Sequence, residues 1–109
     1  MEVIYATEKL KIQCTSHREA KKLFGGNDSL AVSLLARINA LVVADNLKNK
    51  KGRDLESYFA IDVKSRKEKW RIILQPLNER QESYNPCNID QIASKVKIVE
   101  VSEVSKHYE

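Results

Sequence analysis

The feature that most constrains this chain is a change of hydrophobic period near its middle. Leu30, Leu34, Leu35, Ile38, Leu41 and Val42 recur at the 3.6-residue spacing of a helix with one apolar stripe. From residue 58 the period becomes two. Phe59, Ile61 and Val63 alternate with Tyr58, Ala60 and Asp62, the pattern of a strand with one buried face. A helix and a strand that each hide one side can satisfy one another, so the chain is expected to pack helices on a sheet.

The flanking residues fill in the order. Glu2 to Ala6, with Val3, Ile4 and Tyr5, reads as an opening strand. Thr7 stands at an N-cap position before Glu8 to Cys14, where Leu10 and Cys14 are four apart. Ser16 followed by Glu19 makes a capping box for a second short helix that Gly25-Gly26 ends. Asn27 and Asp28 then cap the striped helix. Leu47 to Ser57 is polar and aperiodic and reads as a loop. Lys64 to Lys69 forms a charged turn before a second strand, Trp70 to Gln75, which Pro76 should stop because proline has no N–H for the ladder. Leu77 to Gln91 is a long polar segment, functional or inserted. Val96, Ile98, Val99 and Val101 form the last strand, and Ser102 to Glu109 a polar tail. The expectation is one α+β domain over residues 1–109, with an N-terminal strand and helices on one face of a small, mostly antiparallel, twisted sheet and its other face open.

Composition matters mainly through where charge sits. The net charge is +4, and nine of the 19 basic residues fall between Leu47 and Arg71: Lys48, Lys50, Lys51, Arg53, Lys64, Arg66, Lys67, Lys69 and Arg71. Such a cluster suits a polyanion, or is a pair of solvated loops. No apolar run approaches the roughly 20 residues that cross a bilayer, and Met1 to Tyr5 is too short for a secretory core, so a cytoplasmic chain without a membrane partner is expected. Cys14 and Cys87 lie far apart without a CxxC or histidine-rich setting, which points to free thiols and no metal. No phosphate-binding glycine loop, HExxH or GxSxG is present, and no cofactor is implied.

Basic groups therefore carry whatever chemistry there is. Lys51, Arg53 and Arg71 can converge on a phosphodiester if the open face adjoins the basic segment. Arg71 stands out because a strand gives its planar guanidinium a fixed direction, and the fork holds two phosphate oxygens at once. Its alternative is a salt bridge to Asp62 on the neighbouring strand. His107 and Tyr108 are the one close pair of proton-transfer groups, or else ordinary surface residues, and His17 reads as inert. RNA brings its own 2′-hydroxyl nucleophile, so cleaving it needs only a base, an acid and cationic support.

The segment order resembles that of the small toxins of type II toxin-antitoxin systems, the RelE/ParE superfamily, and within it the HigB-like killer proteins. Three pieces carry the resemblance: the opening Val3-Ile4-Tyr5-Ala6-Thr7-Glu8-Lys9-Leu10-Lys11; the hairpin Phe59-Ala60-Ile61-Asp62-Val63 with Trp70-Arg71-Ile72-Ile73-Leu74-Gln75-Pro76; and the ending Val96-Lys97-Ile98-Val99-Glu100-Val101. The resemblance implies a ribosome-dependent, metal-independent mRNA endonuclease that inhibits translation and growth. It puts Arg71 at the family's arginine; on that reading His107 and Tyr108, which follow the last strand later and in reversed order, join Arg71 in catalysis, and Lys50, Lys51, Arg53, Lys67 and Lys69 are expected on the RNA. It implies a cognate helix-turn-helix antitoxin as partner, through which operator DNA is contacted indirectly. The chain departs from the pattern in two places. Lys51-Gly52-Arg53-Asp54-Leu55 stands where cleaving members have a histidine, and Glu103, Val104 and Ser105 stand where many end in Asp-Tyr-His. Two alternatives follow: a toxin of the same fold that binds a protein such as DNA gyrase without catalysis, or a non-toxic antitoxin-binding module.

Overall fold

A computed structural model describes residues 1–50, 52–55, 58–84 and 88–106. Strand β1 (Glu2–Tyr5) leads into three helices, α1 (Glu8–Thr15), α2 (His17–Leu23) and α3 (Asp28–Val43). The sheet continues with β2 (Arg53–Leu55), β3 (Tyr58–Asp62) and β4 (Trp70–Leu77); a short helix α4 (Ile89–Ile92) precedes β5 (Ile98–Lys106). The five strands lie in the order β1-β5-β4-β3-β2, antiparallel throughout except for the parallel pair of β1 with β5. The protein is thus an α+β fold with a mixed sheet.

The starts of α1, α2 and α3 and the end of α2 have local causes. The Thr7 hydroxyl accepts from the Leu10 N–H (3.1 Å), and the Asn27 side chain accepts from that of Leu30 (3.0 Å), each satisfying an orphan first-turn donor. Ser16 serves two helices. Its hydroxyl accepts from the Glu19 N–H (3.4 Å), while its own N–H donates to Ile12 O at the end of α1 (3.0 Å). That second bond uses the donor which a full capping box would give to the Glu19 carboxylate, and Glu19 turns to Lys22 instead (3.5 Å). At the other end of α2, Gly26 N–H reaches Lys21 O and Gly25 N–H reaches Lys22 O, with φ of 91° and 62°. This is the paired closure that needs left-handed residues, hence two glycines.

Core packing selects one face of the sheet. Leu10 and Cys14 of α1, Ala20 of α2, Leu30, Ala31, Leu34, Ile38 and Leu41 of α3, and Ile89 and Ile92 of α4 join Phe59, Ile61, Ile72, Leu74, Val99 and Val101 in one buried cluster. Val42 leaves the expected stripe and is 50% exposed. It lies about 100° around the helix from Leu41, on the flank of the buried arc.

Four expectations are corrected by the observed pairing and turns. The expected loop Leu47 to Ser57 contains β2, whose three residues are strand because they pair with Ala60, Phe59 and Tyr58. Pro76 does not end β4. Pairing with β3 stops at Phe59↔Leu74, so Pro76 stands where one flank of β4 lacks β3, a position proline tolerates. Within the polar segment, a turn from Asn78 is closed by a bridge between Leu77 and Ser83, and α4 follows. The expected polar tail is strand as far as Lys106. Ile73 pairs with Glu103 but Leu74 with Val101, so Ser102 is an extra residue, and this bulge returns Val104 to the helix-covered side.

Candidate functional site

The opposite face of the sheet holds the charged side chains. Residues 71, 73, 75 and 77 of β4 share it, together with their cross-strand neighbours Asp62 and Ala60 of β3 and Arg53 of β2. At one end of β4 these residues enclose a concavity of about 400 Å³, lined by Gly52, Arg53, Ala60, Asp62, Arg66 and Arg71.

Three separate segments deliver its arginines. Arg53 comes from β2, held opposite Ala60. The approach depends on Gly52: a Cβ there would lie 2.5 Å from the Ala60 carbonyl oxygen and 2.5 Å from the Phe59 ring. Arg71 comes from β4 with Asp62 as its direct cross-strand partner, Nε to Oδ1 2.9 Å, and its Nη1 donates to Trp70 O at 3.1 Å. These two contacts hold the guanidinium of a side chain that is only 14% exposed. They engage two of its five N–H donors, and the others have no partner among the described residues. Arg66 comes from the 3₁₀ turn Arg66–Glu68 at the tip of the β3–β4 hairpin. Three guanidinium groups around one carboxylate among the described residues leave the hollow cationic, a setting for a tetrahedral oxyanion such as the singly charged phosphodiester, two of whose oxygens one guanidinium can hold at once.

Neighbouring contacts stiffen this end of the sheet. On the other face, the Trp70 ring meets Phe24 edge-on at 4.8 Å, and Lys106 Nζ lies 5.6 Å over the indole. Ser105 stands opposite Arg71, so the end of β5 flanks the arginine directly.

Of the residues singled out in the sequence, the fold brings Arg53 and Arg71 together. Lys50 instead donates to Ala40 O (3.4 Å) and lines a different hollow, between α3 and the edge of β3. Lys67 is exposed on the turn, and Lys69 closes that turn with a left-handed φ of 58°; neither lines the arginine concavity. Lys51, Cys87, His107 and Tyr108 lie outside the described residues. The Asp62 pairing weighed against a phosphate role for Arg71 is present, and the donors without a partner among the described residues leave both roles open to the same side chain. Arg66 was not singled out. Its sequence signals were its membership of the basic cluster and its place at the tip of a hairpin whose arms carry Asp62 and Arg71.

The remaining reactive groups are elsewhere. His17 pairs with exposed Asp28 (Nε2 to Oδ1 2.8 Å) where α2 meets α3. Cys14 is buried, which pushes its thiol up to about 12, far from a reactive thiolate. Burial, followed by the charge of Asp90, raises the Asp54 carboxyl. Among the described residues no three His, Cys, Asp or Glu side chains converge as metal ligands, and no helix is long and apolar enough to cross a membrane. No family model, curated protein or solved structure matches the chain.

Proposed function

We propose that this chain is a RelE/ParE-like toxin of a type II toxin-antitoxin system that binds messenger RNA on the ribosome and cleaves it without a metal. The observation that carries the reading is the convergence of Arg53, Arg66 and Arg71 on the open face of the sheet. Arginines drawn from three segments into one hollow suit an anion whose negative charge grows during reaction, as on a phosphorus attacked by the adjacent 2′-hydroxyl. Arg71 stabilises that charge, Arg53 and Arg66 hold flanking phosphates, and His107 or Tyr108 transfers protons. A cytoplasmic helix-turn-helix antitoxin neutralises the protein by covering this face.

The test is induced expression of the wild type and of Arg71→Ala, with growth followed and mRNA ends mapped by primer extension. Growth arrest with new mRNA ends, both lost in Arg71→Ala, is the expected result. Arrest with intact mRNA rejects the nuclease. The Asp62–Arg71 pair favours that second reading specifically, because an arginine tied across two strands also serves a rigid surface that binds a protein such as DNA gyrase. In that case His107→Ala and Tyr108→Phe leave toxicity unchanged. Growth without arrest leaves only a non-toxic binding module.

A further inference from the structure

The far end of β4 repeats the charge pattern of the arginine hollow. There Leu77 and Ile98, the Asn78–Tyr84 turn, Lys95 and Lys97 enclose a second concavity of about 410 Å³. Arg80, Lys95 and Lys97 face it with one carboxylate, that of Glu79. The turn is built to hold its shape. The Asn78 side-chain oxygen accepts from the N–H groups of Arg80 (2.8 Å) and Glu82 (3.1 Å), and Asn78 N–H donates to Glu82 O (2.8 Å). Tyr84 is half-buried against the core, so its ring is fixed. Lys97 Nζ is engaged by Asp45 O (3.3 Å), whereas the side chains of Arg80 and Lys95 have no hydrogen-bond or ion-pair partner among the described residues.

The two hollows are joined by one strand. Arg71 and Leu77 are six residues apart on the same face of β4, a span of about 20 Å. Between them stand Ile73 and Gln75, whose partners on β5 are Glu103 and Glu100. A polyanion is thus attracted at both ends of the strand and repelled in the middle.

We propose that the second concavity is a further subsite for the same single-stranded RNA, holding a nucleotide a few positions along from the one at Arg71. Its base lies against Tyr84 and its phosphate between Arg80 and Lys95. The inference rests on the RNA reading above, and it adds a length requirement: an oligonucleotide too short to reach both ends gains nothing from the second.

The test is fluorescence anisotropy on the full chain with 2′-O-methyl oligonucleotides, which cannot be cleaved, of about three and about eight nucleotides. The wild type should bind the longer one about tenfold more tightly, one stacked base and one phosphate being gained. The double variant Arg80→Glu/Lys95→Glu should lose that gain while its affinity for the shorter one stays unchanged, which also reports that it is folded. Arg71→Ala should weaken both. A gain that persists in the double variant, a gain absent from the wild type, or equal weakening of both lengths by the double variant overturns the subsite and leaves the RNA reading standing. A wild type that binds neither oligonucleotide likewise overturns the subsite, whereas the RNA reading itself falls only if induced expression leaves mRNA ends unchanged.

Discussion

The two faces of the sheet divide the work of the protein. The face under the helices is apolar without interruption, from Phe59 and Ile61 through Ile72 and Leu74 to Val99 and Val101. The other carries Arg53, Asp62 and Arg71 beside Ile73 and Ala60. No charged or polar side chain among the described residues is fully buried. Stability is therefore concentrated on one side, and the other is free to hold charge in a fixed arrangement at little thermodynamic cost. A strand serves both because its side chains alternate: Arg71 and Ile72 are neighbours in sequence and opposites in role.

The sharpest way to break this comparison is to truncate each side of β4 in turn. Leu74→Ala removes a fully buried side chain facing the helices and should cost about 2–5 kcal/mol in denaturant unfolding. Gly52→Ala comes next. The new Cβ would collide with the Ala60 carbonyl, so β2 must shift from β3 at a cost of about 1–3 kcal/mol, and binding should weaken because Arg53 moves with β2.

The buried side also has a signature in alkali. Burial raises the Cys14 thiol in the folded protein to about 12, above its unfolded value of about 9, so the folded state keeps a proton that the unfolded chain releases. Stability should be unaffected below pH 9 and should fall by about 1.4 kcal/mol per pH unit between about 9 and 12. Tyr5, also raised by burial, adds to the fall above pH 10. In Cys14→Ala the slope should flatten, measured by urea titrations across that range. The smallest effect on stability belongs to the open face. Arg71→Ala removes a mostly buried arginine from its pair with Asp62 and should cost about 1–2 kcal/mol, while, on the proposed function, removing most RNA handling. A loss as large as that of Leu74→Ala would mean that the two faces are not separable.

Much of this division was legible before folding. The 3.6-residue stripe of α3, the period-two alternation of β3, the caps at Thr7, Ser16 and Asn27 and the double glycine after α2 are local signals, each spanning a few residues. Arg71 was also legible, since its strand and its partner Asp62 follow from hairpin register. What escaped was non-local. β2 is a strand only because β3 lies beside it, Pro76 is tolerated only because β3 has ended, and Val104 faces the core only because Ser102 bulges.

The site follows the same rule. By itself the sequence determined which side chains are cationic and that the strongly periodic segments, α3 and β3 above all, are helix or strand, because charge and hydrophobic period belong to residues and their near neighbours. Only the tertiary structure decided that Arg66 joins Arg53 and Arg71 while Lys50 turns away to Ala40. Convergence depends on strand pairing and on the turn of a hairpin, and these are set by contacts between residues distant in the chain.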